Sequence, residues 1–554
     1  MYQEKKIWIG KSGDEKVYIR LPMANRHGLI AGATGTGKTT TLRVLAESFS
    51  DCGVPVFLAD IKGDVAAMCK AGAQEGFVAS QMESMNLPAE GFELHECPVT
   101  FWDVYGEKGL PLRTTVSEMG PLLLSRILGL NETQSEVLTV VFRIADDEGL
   151  LLIDSKDLRS MLQHVGENAK EYSLKYGNMS SASLTTIIRS VIALEDAGGD
   201  KFLGEPALKI TDWITKNEEG AGMINILDCQ KLAQSPTMYS TFMLWMLSEL
   251  YETLPEVGDM GKPRIVFFFD EAHMLFDNAP KTLLDKIEQV VKLIRSKGVG
   301  IYFITQYPKD IPDGVLSQLG NKIQHALHAY TPSDQKLVKA AAMSFRENPE
   351  FNTYEAIQNL AIGEALVSVL DDSGVPTVSQ LAKILPPQCG MGPIDDSERD
   401  QIIKQNDLYF KYSESVDRDS AYEFLERKHL ADQEAAQKAE EEKQKAKEEA
   451  AAEKQRLKEE AAAEKQKQKE EAAAQKAQEK AEAAAQKEAE KKAAATKNKV
   501  NKVVKSVAST TGGTIGRELG NTLGSSIGGS FGKKLGGNVG ASLGRGILGS
   551  LFSK

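Results

Sequence analysis

The chain has 554 residues, a formal charge of −12 and five cysteines. That length is too great for one compact core, so two or three regions are expected. The acidic balance excludes a surface that binds nucleic acid broadly; any such contact would be local, along a ring or pore lined by a few cations. Cys52, Cys69, Cys97, Cys229 and Cys389 form no C-x-x-C pair and no metal-ligand spacing, which suits reduced thiols in the cytoplasm. No secretory leader and no continuous membrane-spanning apolar run is read from the sequence.

Residues 1–25 carry alternating patterns, Lys6-Ile-Trp-Ile9 and Lys16-Val-Tyr-Ile19, that suit a small β segment. Arg26-His27 then opens an apolar strand, Gly28-Leu-Ile-Ala31. The strand runs straight into Gly32, Ala33, Thr34, Gly35, Thr36, Gly37, Lys38 and Thr39, and a helical pattern follows from Thr40 to Phe49. Strand, glycine loop and helix in this order, with the spacing G-x-x-x-x-G-K-[ST], form a phosphate cradle. Gly32, Gly35 and Gly37 let backbone N–H groups face phosphate oxygens. Lys38 can reach the β- and γ-phosphates, and the Thr39 hydroxyl can hold Mg²⁺. The stretch predicts a nucleoside triphosphate site.

A second strand, Val54–Ala59, ends in Asp60-Ile-Lys-Gly-Asp64. This polar cluster fits either a ligand position at the carboxyl end of a parallel strand or a solvated turn. Residues 65–222 read as a helical insertion, with amphipathic segments Thr115–Leu128, Glu132–Asp146, Ser155–Val165 and Ser181–Ala197. The sheet resumes at Met223–Leu227, and a helix follows at Thr237–Tyr251.

The run Arg264-Ile-Val-Phe-Phe-Phe269 reads as a strand buried on both faces, and it leads directly into Asp270-Glu-Ala-His273. Adjacent carboxylates beside a core are costly unless a cation compensates them. Mg²⁺ held at Asp270, with Glu271 as general base toward water, gives the pair a purpose. After a helix at Lys281–Lys297, the strand Val299–Ile304 ends in Thr305-Gln306, which places Gln306 near the γ-phosphate or the attacking water; a cap is the alternative. Asn321–Ala326 and Glu364–Leu370 supply two further strands, with a helix at Ser333–Ala342 between them. The globular part is expected to end near Pro386-Pro387, which sets an ATPase core at residues 26–390.

From residue 395 to 505 the composition becomes helical and polar. Glu448-Glu-Ala-Ala-Ala452 recurs at Glu459, Glu470 and, in variant form, Ala481, an 11-residue period. A semi-rigid helical spacer of roughly 100 Å, solitary or in a coiled coil, follows from ~1.5 Å per residue. Residues 506–554 repeat glycine every fourth position from Gly512 to Gly544. This G-x-x-x-G stripe suits close packing against another copy or a membrane surface, and glycine equally suits disorder in water.

Together, the stretches Arg26–Thr39, Asp60–Asp64, Phe267–His273 and Phe303–Gln306 resemble the HerA/FtsK superfamily of P-loop motors, in particular its bacterial HerA-like members. The resemblance covers about residues 5–390. It implies an α/β fold with a RecA-like P-loop NTPase core, ATP and Mg²⁺ as cofactors, and a homo-oligomeric, usually hexameric, ring with ATP between subunits. It also implies translocation of double-stranded DNA. Carried over by position, Gln306 matches the family's sensor glutamine, Arg295 its arginine finger, and Arg26 a second arginine. An ordinary surface ion pair is the alternative for both arginines. The family's usual N-terminal barrel has no counterpart in residues 1–25, and no basic stretch in residues 1–390 marks a DNA track. The rival reading is an ATPase motor or nucleotide-switched scaffold acting on a protein or membrane-associated partner through the tail.

Overall fold

The computed structural model describes the backbone of residues 2–3, 5–258, 260–277 and 281–493. The glycine tail expected at 506–554, and the end of the spacer from 494, lie outside the described residues. The chain divides into two units, Met1–Lys438 and Ala439–Lys554.

In the first unit, thirteen strands among the described residues form one sheet. In chain order they are β1 Tyr2–Gln3, β2 Lys6–Ser12, β3 Glu15–Arg20, β4 Gly28–Ala31, β5 Val56–Asp60, β6 Val99–Asp103, β7 Leu110–Pro111, β8 Ile224–Asp228, β9 Ile265–Phe269, β10 Val299–Thr305, β11 Asn321–Gln324, β12 Glu364–Ser368 and β13 Gln380–Ile384. Their spatial order is β1-β2-β13-β12-β11-β4-β10-β9-β5-β8-β6-β7, with β3 pairing β2. The run from β11 to β7 is parallel, and the β12, β13, β2 and β3 side is antiparallel. Strand β10 lies between β4 and β9, so the phosphate-loop strand and the strand bearing the acid pair are separated by one neighbour. This is the RecA-like arrangement, and the core is α/β.

Side-chain alternation along the strands divides the interior into two layers. Phe57, Ala59, Phe267, Phe269, Ile301 and Phe303 pack into one core, together with the helices of the middle of the chain. Their neighbours Val56, Leu58, Val266, Phe268, Tyr302 and Ile304 pack into the other, against Leu42, Leu45 and Phe49 of the helix Lys38–Asp51. Strands buried on both faces explain why β9 reads as an unbroken apolar run.

The middle helices Val116–Ile127, Glu132–Glu148, Ser155–Glu167 and Ser181–Asp196 lie close to the amphipathic segments expected. The first three begin with capping boxes, Thr115 with Glu118, Asn131 with Gln134 and Asp154 with Asp157. Two differences stand out. Within residues 65–222, Val99–Asp103 is not loop or helix but strand β6, parallel to β8. Beyond Pro387 the chain still packs on the core: Asn406 donates to Thr100 Oγ1 at 2.9 Å, and Tyr412 is fully buried edge-on to Trp102. Each such contact comes from one residue in a polar stretch, so no periodic pattern announces it.

In the second unit the helix Ala421–Ala493 continues, and every side chain described from 439 to 484 is exposed. Among the described residues, no helix is long and apolar enough to cross a membrane.

Candidate active site

The phosphate loop is set by where β4 ends. Gly32 has φ +154°, and its N–H donates to the carbonyls of Thr305 (3.3 Å) and Gln306 (3.2 Å) at the end of β10. A Cβ at Gly32 would stand 2.6 Å from His325 Cβ, so only glycine allows this approach. Thr36 Oγ1 closes the loop onto the Ala33 carbonyl at 2.7 Å, while Thr34 and Gly35 crest it, exposed. Gly37, at φ +116°, begins the helix Lys38–Asp51 without any side-chain cap. The first N–H groups of that helix are therefore available to an anion, with the helix dipole behind them.

Lys38 Nζ folds back to donate to Gly32 O at 2.6 Å and Ala33 O at 3.1 Å. Burial holds its pKa below the usual lysine value. A cavity of about 230 Å³ opens beside these groups, lined by Gly35, Gly37, Lys38, Thr39, Thr40, Phe77, Ile362 and Gly363. Its polar side suits phosphates, and the Thr39 hydroxyl belongs to the same wall.

The acid pair stands at the tip of β9. Both residues are buried, and burial raises the Asp270 pKa above the usual carboxylate value. Asp270 Oδ1 accepts the Glu271 N–H at 2.9 Å, and Glu271 itself sits at φ +44°, a strained backbone for a non-glycine residue. Its Oε2 is buried and has no hydrogen-bond partner, although His273 Nδ1 lies 3.4 Å away. Its Oε1 is paired with Lys62 at 2.7 Å. Because β10 intervenes, about two strand spacings, or ~10 Å, separate the phosphate loop from the acid pair. That gap accommodates a terminal phosphate, a hard cation and a water. Gln306, half-buried at the tip of β10, stands between the two.

Arg26 and Arg295 are elsewhere. Arg26 ends the turn Leu21–Arg26 just before β4, and Arg295 is exposed in the turn Arg295–Lys297 just before β10. Both precede parallel strands whose far ends carry the phosphate loop and Gln306. The seven residues of β10 span ~23 Å, so neither arginine shares a site with Lys38 of its own chain. Neither makes an ion pair among the described residues.

Three functional neighbours escaped sequence reasoning. His325, just past β11, is fully buried; its Nδ1–H donates to the Glu364 carbonyl at 2.8 Å and its Nε2 accepts from Thr41 Oγ1 at 2.8 Å. It props the loop from below, and burial lowers its pKa to about 4. His27, the residue after Arg26, is also buried and bonds to the elements that flank Arg295: its Nε2–H donates to Val291 O of the helix Lys281–Ile294 at 2.9 Å and its Nδ1 accepts from Ile301 N of β10 at 3.0 Å. Lys62 lies in the Asp60–Asp64 turn that the sequence did single out, but nothing in the sequence pairs it with Glu271. Asp60 itself caps that turn, accepting the N–H groups of Gly63 and Val65.

The family model for the helicase HerA-like C-terminal region matches residues 5–554 of the chain. The DNA double-strand break repair helicase HerA of Sulfurisphaera tokodaii is 23% identical over 386 residues, covering 66% of this chain and 67% of that protein. Its counterpart in Sulfolobus acidocaldarius is 22% identical over 401 residues, covering 68% and 69%. Among solved structures, VirB4 of Thermoanaerobacter pseudethanolicus superposes with a TM-score of 0.44 at 16% identity, covering 69% of this chain and 97% of that one. On its phosphate loop, its acid pair and the family-model match over residues 5–554, the chain belongs to the helicase HerA-like C-terminal family and is a P-loop ATPase.

Proposed function

We propose that the chain hydrolyses ATP with Mg²⁺ in a ring of identical subunits, a hexamer, and uses the reaction to move double-stranded DNA. The observation that carries the ring is the placement of Arg26 and Arg295 at the end of the sheet opposite Lys38. A site complete in Lys38, Glu271 and an arginine then needs two copies.

The residues fit a magnesium nucleotide. The uncapped helix start and Lys38 would hold the β- and γ-phosphates, and the Thr39 hydroxyl and Asp270 carboxylate would hold the cation. Mg²⁺, when bound, supplies charge to the phosphate oxygens. The unpartnered Oε2 of Glu271 is the buried acceptor for a proton from water, which supports its role as general base. Gln306 orients that water or the terminal phosphate from the tip of β10. Arg295 of a neighbouring copy would meet the charge that develops there, with Arg26 beside it.

Duplex DNA as track draws on relatives named as DNA double-strand break repair helicases. A motor or nucleotide-switched scaffold acting on a protein or membrane-associated partner is the second reading, and the net charge of −12 favours it. The five thiols, all free, suit the cytoplasm. Sedimentation of the full chain with ATP analogue, followed by duplex DNA binding over a salt series, tests the first reading. It expects a closed ring and a steep salt slope; a monomer or salt-indifferent binding contradicts it.

A further inference from the structure

The turn Asp60-Ile-Lys-Gly-Asp64 has no part in the chemistry above, yet its lysine reaches the centre of the site. Lys62 Nζ lies 2.7 Å from Glu271 Oε1 and 3.5 Å from Asp270 Oδ2. Two adjacent buried carboxylates are costly without a counter-charge, and this ammonium supplies one. The backbone beneath it is held from two sides. Asp60 Oδ1 accepts the Gly63 N–H at 2.7 Å, and Gln230 Nε2 donates to the Lys62 carbonyl at 2.9 Å. Gly63 sits at φ +74°, and a Cβ there would come within 1.9 Å of Gln230 Nε2. Glycine at 63 is therefore what lets the turn pass so close. The Lys62 side chain stays 40% exposed, so it is fixed at its root and open to solvent at its tip.

We propose that Lys62 is a positioning residue that stands in for the divalent cation. Without metal it neutralises Asp270 and Glu271 together, and it gives up Asp270 when a metal takes that carboxylate. The inference rests on the assignment of Asp270 and Glu271 as metal-side acid and base. Its consequence is competition: the ammonium and Mg²⁺ cannot both sit against Asp270, so removing the ammonium strengthens the hold on Mg²⁺.

The test is a Mg²⁺ titration of full-length protein with a fluorescent ATP analogue, read as anisotropy, with thermal melting as a check on folding. Lys62→Met lowers the half-saturating Mg²⁺ about tenfold, the scale expected for one unit charge a few ångströms from a cation in a partly buried site. Lys62→Arg keeps the native value. Gly63→Ala retains the lysine but displaces its turn, and lowers the value part of the way. An unchanged or higher half-saturation in Lys62→Met, or an equal drop in Lys62→Arg, overturns the inference. Should Lys62→Met fail to fold, Gly63→Ala decides, and a native value there overturns it. Native protein that binds the analogue no better with Mg²⁺ than with chelator would overturn the underlying site assignment instead.

Discussion

Arg295 and Lys38 stand at opposite ends of the parallel part of the sheet: Arg295 precedes β10, Lys38 follows β4, and the two strands are hydrogen-bonded neighbours running the same way. If both serve one ATP, they come from different copies. Doping Arg295→Ala subunits into native protein then lowers hydrolysis out of proportion to their fraction, while the pure variant loses ~10³-fold or more in rate. A loss linear in the doped fraction would place Arg295 outside the neighbour's site.

His27, at the end of the turn that carries Arg26, donates to Val291 O in the helix before Arg295 and accepts from Ile301 N in β10 after it, and burial lowers its pKa to about 4. Its imidazole resonances should therefore titrate near 4, not near 6.5. Between those values the unfolded chain binds a proton that the folded chain refuses, so stability held through His27 falls as pH falls. Native protein should lose up to ~3 kcal/mol of its advantage over His27→Gln between pH 6.5 and 4. The paired comparison matters because Glu47, raised to about 7, and Asp60, raised to about 6, act with the opposite sign. A midpoint above 6 would show an imidazole less buried than described.

Glu47 fastens the segment after Pro387 to the phosphate-loop helix. Its carboxylate accepts the Gln388 N–H at 2.9 Å and the Cys389 N–H at 3.1 Å, wholly out of solvent. Glu47→Ala strands both donors and should cost about 3 kcal/mol in urea unfolding. A cost under ~1 kcal/mol would mean that water replaces the carboxylate.

Gly32→Ala drives a Cβ against His325 and Thr36 Oγ1. Strain of ~1–3 kcal/mol at the loop should weaken binding of an ATP analogue by roughly 10–100-fold, measured by anisotropy. Native affinity in this variant would show that the loop moves freely over His325.

The sequence displayed this site unevenly. The phosphate loop and acid pair were legible because each is a local signal: a glycine spacing between strand and helix, and carboxylates at the exit of an apolar run. The strands that carry them were legible from the same apolar runs. Strand β6 was not, because Val-Thr-Phe-Trp-Asp is short and alternates weakly between loop-like neighbours. The pairing of Lys62 with Glu271 was hidden because it depends on β5 lying beside β9, more than 200 residues away in the chain. Single histidines such as His27 and His325 carry no pattern at all; only their buried partners reveal them. Arg399, which reaches the Lys108 carbonyl at 3.3 Å from beyond Pro387, sits in a stretch whose composition reads as solvated helix.

The decisive measurement is steady-state ATP hydrolysis by the full-length protein, with and without linear duplex DNA, beside Glu271→Gln. A DNA-motor predicts a clear rise with DNA and a loss of ~10²–10⁴-fold in the variant under both conditions. Hydrolysis that Glu271→Gln abolishes but DNA leaves unmoved would keep the site and contradict the DNA track.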